Sequence, residues 1–327
     1  MNKRNCFLII CLFIGLQTTK GQSHVNEKKF RIVGYYSLKK AMMDSIIDVP
    51  FEKLTHINLY FLNPDTSGNF NEDFSALSPF LREAHRHHVK VLPSIAGGGR
   101  HDYYHDLLKN ENRGKLISRL LKIVTHYGFD GIDVDLEGSD IDENYEKFAI
   151  ELAEVFHKHS KLVTAAIAVF YKDVLSDEAL QQYDFVNVMS YDHTGPWRPE
   201  KPGPHSTYEQ AEEDLNYFLD DRKIPKEKIN LGVPFYGYGF GPSLNSKATS
   251  MNYGEIISAY PEAKDQDSLD LPGGATLYFN GSETIRRKTA LAKNKASGIM
   301  IWQLSGDAKD KESLLNVINK ELKSIEE

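Results

Sequence analysis

Cysteine is nearly missing from this chain. Its 327 residues hold two, Cys6 and Cys11, and both sit in an N-terminal stretch that reads as a targeting segment. Without that stretch the protein has no disulfide to brace it and no thiol for chemistry, so its core alone must hold it together. Positive clusters are missing beyond the extreme N-terminus, and the formal net charge is -7. That excludes the basic patch a nucleic-acid partner requires. Pro/Ser-rich linkers and low-complexity tracts are absent too, which argues for a single domain. The one long apolar run, Cys6 to Leu16, has about eleven residues against the ~20 a membrane-spanning helix needs. With Lys3 and Arg4 before it and Thr18, Thr19 and Gly21 after it, this run has the layout of a secretory signal cleaved near Gly21–Gln22. Residues 1–21 are therefore expected to be a signal peptide and 22–327 the mature protein, secreted or periplasmic, with no membrane span after cleavage. An uncleaved anchor is the alternative.

What remains is ordinary globular sequence, 41% hydrophobic and 26% charged. Apolar, β-branched runs recur along it: Phe30–Tyr36, Leu54–Phe61, Val89–Ile95, Phe129–Leu136, Leu162–Ala168, Asp184–Tyr191, Ile229–Phe235 and Gly298–Gln303. Helical stripes lie between them, such as Tyr145, Phe148, Leu152 and Phe156, or Leu314, Leu315, Ile318 and Leu322. Strands that alternate with helices imply parallel βαβ units, and eight of them suggest closure into a (β/α)8 barrel of the α/β class. The stretch from Gly237 to about Gly281, rich in Gly, Ser, Asp and Pro, reads as an excursion at the barrel top. It is too short for a full insertion domain.

The most informative run is Phe129-Asp130-Gly131-Ile132-Asp133-Val134-Asp135-Leu136-Glu137. Its alternation puts Asp133, Asp135 and Glu137 on one face, about 6.6–7 Å apart. Carboxylates so close keep a shared proton, which raises the apparent pKa of at least one of them. A protonated carboxyl beside an ionised one is what acid-assisted cleavage of a glycosidic bond requires. A surface edge strand would not alternate these acids with Ile, Val and Leu. In a (β/α)8 barrel the chemistry sits at the C-terminal strand ends. Those ends carry Tyr35, Tyr36, Tyr60, Phe61, Ser94, Glu137, Tyr191, Asp192, Tyr236 and Trp302. Aromatic faces beside carboxylates suit sugar rings, whose apolar faces pack on rings while their hydroxyls seek polar partners.

At these residues the sequence resembles glycoside hydrolase family 18, the chitinases and endo-β-N-acetylglucosaminidases. Asp130, Asp133, Asp135 and Glu137 match its Asp-x-x-Asp-x-Asp-x-Glu signature in full. Lys90–Gly98, Met189-Ser190-Tyr191-Asp192, Leu231–Gly237, Tyr278–Gly281 and Gly298–Gln303 are similar to further family segments. The resemblance implies a secreted enzyme cleaving β-1,4-linked N-acetylglucosamine, with Glu137 as general acid and the substrate's own acetamido group as nucleophile. It further implies that Asp135 orients the acetamido N–H, Asp133 manages the shared proton, and Tyr191 bonds the acetamido carbonyl. Met189 and Asp192 would line the pocket, Trp302 would be its floor, and Tyr35, Phe61 and Tyr236 would complete the substrate-binding set. Action on N-glycan chitobiose cores and non-catalytic glycan binding are the alternatives. Two departures stand out: Ser94-Ile95-Ala96-Gly97 replaces the usual Ser-x-Gly-Gly, and Gly138 stands where many chitinases carry an aromatic. The second weakens the case for long crystalline chitin, while the short excursion and the lack of a carbohydrate-binding module favour a shallower cleft and soluble or short substrates.

No motif calls for a cofactor, and a monomer is expected. His101 and His105 have zincin spacing but no third ligand and no Glu between them, so no metal site is expected. Asp265, Asp267 and Asp270 lack the glycine of a calcium loop and read as a polar loop. Asn280-Gly281-Ser282 is formally a glycosylation sequon and reads as a turn.

Overall fold

Eight of the apolar runs become eight parallel strands, because each presents one face to a ring of helices and the other to the barrel axis. In the computed structural model, which describes residues 30–43, 49–244 and 248–326, elements are numbered in chain order. The barrel strands are β1 (Arg31–Ser37), β2 (His56–Tyr60), β3 (Lys90–Ala96), β4 (Gly131–Asp135), β5 (Leu162–Ile167), β6 (Phe185–Val188), β7 (Ile229–Pro234) and β12 (Gly298–Trp302). They close in the order β1-β12-β7-β6-β5-β4-β3-β2. The expected signal segment lies outside the described residues. Among the described residues, no helix is long and apolar enough to cross a membrane.

The helices are α1 (Leu38–Met43), α2 (Ser78–Arg86), α3 (Tyr103–Leu107), α4 (Asn110–Tyr127), α5 (Tyr145–Lys158), α6 (Asp177–Gln182), α7 (Tyr208–Asn216), α8 (Tyr253–Ala259), α9 (Ser282–Lys295) and α10 (Leu314–Glu326). The stripes read from sequence are the buried ones: Tyr145, Phe148, Leu152 and Phe156 of α5, and Leu314, Leu315, Ile318 and Leu322 of α10. They pack with the outward strand residues Ile57, Leu59, Val91, Ile132, Val134, Val163 and Val186 in one large cluster. A second, smaller cluster joins Val33, Tyr35, Ala166, Phe185 and Met300 inside the barrel to Tyr191, Tyr236 and Tyr238 at its mouth. Period-2 alternation assigns each strand residue to one cluster or the other.

Polar residues also face inward, and the register decides which ones meet. Ser94 of β3 pairs with Asp133 of β4, and Asp133 with Thr164 of β5. Two hydroxyls therefore flank one carboxylate. Farther down, Arg31 donates from Nε to Asn230 Oδ1 at 2.8 Å, and Asn230 Nδ2 donates to Asn187 Oδ1 at 2.8 Å. Asp130, the first acid of the signature, is not in this interior. It precedes β4 and accepts from the Val91 backbone N–H at 2.8 Å and from His85, tying β4 to β3 at the base.

The excursion after the seventh barrel strand is an ordered four-stranded antiparallel sheet, in the order β10-β11-β8-β9. Its strands are β8 (Tyr236–Phe240), β9 (Ala248–Asn252), β10 (Ser268–Leu271) and β11 (Ala275–Tyr278). Glycines hid it from the sequence pattern. In β8, Tyr236, Tyr238 and Phe240 are buried, and Gly237 and Gly239 alternate with them. A Cβ at Gly237 would lie 2.4 Å from the Tyr278 carbonyl oxygen, so the close approach of β11 requires glycine there.

The acids of the three-aspartate segment do not converge. Asp267 accepts from Gly281 N and Thr284 Oγ1, Asp265 from Ser282, and Asp270 from Thr276. The first two anchor the start of α9. Asn280 is buried and bonded inside the protein rather than exposed on a turn.

Gly131 sets the spacing of the acidic strand. A Cβ there would meet the Leu162 carbonyl oxygen at 2.3 Å, a backbone atom that cannot swing away. Gly131→Ala should therefore destabilise the fold by about 1–3 kcal/mol, the range of overpacked cores, read as a lower urea midpoint. An unchanged midpoint would show that β4 and β5 are not held this closely.

Candidate active site

The barrel interior withdraws Asp133 completely from water, and three hydroxyls answer its charge. Tyr35 donates to Oδ2 at 2.6 Å, Ser94 to the same oxygen at 2.7 Å, and Thr164 to Oδ1 at 2.5 Å. Burial pushes its carboxyl up while these donors pull it down. With every neighbouring hydroxyl donating to it, the ionised form is the one the hydrogen bonds fit. Asp135, two residues on, has no such company. Its Oδ1 is buried without a partner. Burial, then the charges of Glu137 and Asp133, raises its carboxyl well above the usual range. Of the three acids, Asp135 is thus the one pushed hardest toward its protonated form. Glu137, just past the end of β4, is only partly buried and accepts from the Tyr171 hydroxyl at 3.1 Å. Burial raises it, Tyr171 opposes that, and the charges of Asp192 and Asp140 reinforce it.

Asp135 and Glu137 open on a cavity of about 700 Å³, within the range of ligand pockets. Met189, Tyr191, Asp192 and Trp302 line it as well. Four of the ten residues singled out from sequence stand behind this lining. Tyr35 is buried with its hydroxyl committed to Asp133. Asp133 lies beneath Asp135. Phe61 stacks on Trp302 with ring centroids 5.9 Å apart and an interplanar angle of 22°. Tyr236 donates its hydroxyl to Asp192 Oδ1, which also accepts from Tyr238 at 3.0 Å. Trp302 thus rests on Phe61, Tyr60 and Tyr35, the latter two at 4.9 and 5.3 Å between centroids.

Close approach explains two backbone features of the mouth. Gly97 has φ 64°, and a Cβ there would meet the Phe61 ring at 2.1 Å and Asp135 Oδ2 at 2.5 Å. Ala96, where the related segment has glycine, takes the left-handed φ of 63°. Its side chain is fully buried, and its N–H is held by Asn63 Oδ1 at 2.7 Å. The strand end keeps its path at the cost of strain that glycine would avoid. His101 and His105 do not converge: His101 Nε2 lies 3.0 Å from the Gly97 carbonyl oxygen, and His105 turns to Asp142.

Sequence reasoning missed Phe170, Tyr171, His193, Trp197 and Arg198, which also line the cavity. They lie in the loops after β5 and β6, where no periodicity marks them. Trp197 and Phe170 are 57% and 51% exposed. A tryptophan in a loop at the C-terminal end of a barrel strand was the one signal available.

This arrangement can donate a proton from Glu137, hold a second proton on Asp135, and pack ring faces on Trp302 and Trp197. The family model described as Glycosyl hydrolases family 18 matches residues 31–307. The GH18 chitinase ChiB from the chitin utilization locus of Flavobacterium johnsoniae has a similar structure, with TM-score 0.81 and 37% identity over 91% of this chain and 95% of that one. A chitinase from Bacteroides thetaiotaomicron gives TM-score 0.78 at 30% identity, over 90% of this chain and 96% of that one. Probable chitinase 2 of Drosophila melanogaster is 31% identical over 284 residues, 69% of this chain and 58% of that protein. The chain thus spans little more than half the length of that curated relative.

The hydroxyl of Tyr171 favours the ionised form of Glu137, so removing it should raise the carboxyl further. Tyr171→Phe is expected to move the Glu137 titration to higher pH, followed by the side-chain carboxyl ¹³C resonance. A shift to lower pH would show that Tyr171 does not donate to the carboxylate.

Proposed function

The chain belongs to the glycosyl hydrolases of family 18, and on that premise we propose that it hydrolyses β-1,4-linked N-acetylglucosamine in chitin or chitooligosaccharides with retention of anomeric configuration. The observation that carries this reading is the acidic row: Glu137 at the cavity wall, beside a buried Asp135 whose carboxyl is pushed well up and whose Oδ1 has no protein partner among the described residues.

In this mechanism Glu137 gives its proton to the glycosidic oxygen as the bond to the anomeric carbon breaks. The acetamido carbonyl oxygen of the same sugar attacks that carbon and forms an oxazolinium ion. Asp135 accepts the acetamido N–H. As positive charge develops there, its own proton passes to Asp133 and leaves a carboxylate beside the cation. Water then attacks the anomeric carbon, with the Glu137 carboxylate taking the water proton. Tyr191, whose hydroxyl donates to the weak acceptor Met300 Sδ at 3.9 Å, is available to hydrogen-bond the acetamido carbonyl oxygen. Asp192 is a poor candidate for an enzyme nucleophile, since two tyrosine hydroxyls already draw on its Oδ1. Sugar rings would lie on Trp302 in the cavity and on Trp197 and Phe170 at its rim. Residues 1–21 would direct export, and the N-terminal sequence of the exported protein tests that.

Glu137→Gln should cut turnover of chitooligosaccharides by a factor on the order of 10²–10⁴, the share of general acid catalysis, with oligosaccharide binding kept. Wild-type rates in the variant would remove Glu137 from the chemistry. Substrates with the 2-acetamido group should be cleaved and matched glucosides not, and a thiazoline mimic of the oxazolinium ion should inhibit. Equal rates on both sugars would point to a two-carboxylate mechanism instead. A high-mannose glycoprotein run beside the chitooligosaccharides distinguishes the chitobiose-core substrate.

A further inference from the structure

Lys288 is a charged residue that this mechanism does not use. It lies on α9, far in sequence from the acidic row, and its side chain is fully buried. Its Nζ makes three hydrogen bonds: to the Ser206 carbonyl oxygen at 2.8 Å, to Ser206 Oγ at 2.7 Å and to Asn280 Oδ1 at 2.8 Å. All three partners are neutral acceptors. Ser206 Oγ has no proton to offer in return, because it donates to the Ser190 carbonyl oxygen at 2.6 Å. Asn280 Nδ2 donates to the same Ser206 carbonyl at 2.7 Å. Three acceptors around one nitrogen match the three N–H bonds of an ammonium group. Burial works against that charge and draws the group down to about 7, while Asp267, Asp214 and Glu209 support it.

The grip extends directly to the cavity wall. Ser190, whose carbonyl Ser206 holds, immediately precedes Tyr191 and Asp192. Its own hydroxyl donates to the buried Asp214 at 2.6 Å, an acid that also meets His193 Nε2 at 3.0 Å. His205, immediately before Ser206, places its ring against Tyr236 and Tyr238, with Nδ1 3.3 Å from Asp192 Oδ1. The His193 N–H donates to the His205 carbonyl oxygen at 3.1 Å. Asp192 meanwhile holds the left-handed φ of 64°. Two separate chain segments, 190–193 and 205–206, are thus laid side by side and pinned from behind by one side chain.

We infer that Lys288 is a positioning residue for the cavity wall, its ammonium tripod fixing Ser206 and, through Ser206 and His205, the placement of Tyr191 and Asp192 toward the substrate. The inference rests on the glycosidase reading for its kinetic consequence, but its structural content stands apart from it. Lysine is required here because a long apolar stem must reach through the helix layer and end in three donors. Methionine keeps the stem and supplies none.

The test compares Lys288→Met, Ser206→Ala, the double variant and a control, Arg113→Met. Arg113 is a buried cation of α4 that bonds Leu108 O, Asn110 and Glu151, away from the cavity. All are assayed on a chitooligosaccharide well below their unfolding midpoints. Lys288→Met should lower kcat by about tenfold or more, as expected for a slightly displaced site, with KM changed less than kcat. The double variant should lose less than the product of the two single losses, because the variants share the Nζ–Oγ bond, and Arg113→Met should keep wild-type kcat. Amide hydrogen exchange across 189–193 should quicken in Lys288→Met and Ser206→Ala and not in Arg113→Met. A folded Lys288→Met with wild-type kcat, multiplicative losses in the double variant, or unchanged exchange in that segment would overturn the inference. Should Lys288→Met fail to fold, Ser206→Ala carries the same kinetic and exchange readouts. Wild-type inactivity on the oligosaccharide would count against the glycosidase reading instead, and the exchange comparison would still decide the clamp.

Discussion

Placing carboxyl groups inside a closed barrel is the constraint on which the rest of this structure depends. A carboxylate taken out of water costs several kcal/mol unless hydrogen bonds replace the lost solvent. At Asp133 the replacement comes from Tyr35, Ser94 and Thr164, each on a different strand. That one requirement fixes residues on β1, β3 and β5 and the register between β3, β4 and β5. It also explains why Tyr35, an aromatic at the mouth, spends its hydroxyl on structure.

The same constraint separates the members of the row. Asp133 has three donors, Asp135 has an oxygen with none, and Glu137 has one tyrosine and partial contact with solvent. Groups of one chemistry are pushed toward different protonation states by environment alone. The aromatic rings add a second theme. Trp302 is braced by Phe61, Tyr60 and Tyr35, so the face it turns to the cavity is held in place without a ligand, which lowers the ordering cost of binding one.

On the opposite wall the devices differ. Tyr191 and Asp192 do not lie on a strand. β6 ends at Val188, and the chain beyond it turns through a left-handed residue and meets hydrogen bonds from β8 and from the 205–206 segment, which Lys288 of α9 bonds in turn. The small antiparallel sheet is part of this wall, since Tyr236 and Tyr238 reach Asp192 from it. One wall is therefore built by strand alternation and the other by packing between distant segments.

That difference separates what the sequence determined from what only the tertiary structure decided. The (β/α)8 order, the helix faces, and the common direction of Asp133, Asp135 and Glu137 were legible because they follow from local periods of 3.6 and 2. Trp302 was legible as well, at the end of a strand. The signature names Asp130 with the other acids, but its odd spacing from Asp133 puts it on the opposite face of the alternation, and the structure spends it on the Val91 N–H. The sequence did not reveal β8 as a strand, since its alternate positions are glycines that a neighbouring backbone demands. It gave no sign of Phe170, Tyr171, His193 and Arg198, which reach the cavity from loops without periodicity, and only its residue type pointed to Trp197. Nor could it show how differently the three acids are shifted. Protonation depends on burial and on donors from other strands, and these exist only once the barrel has closed.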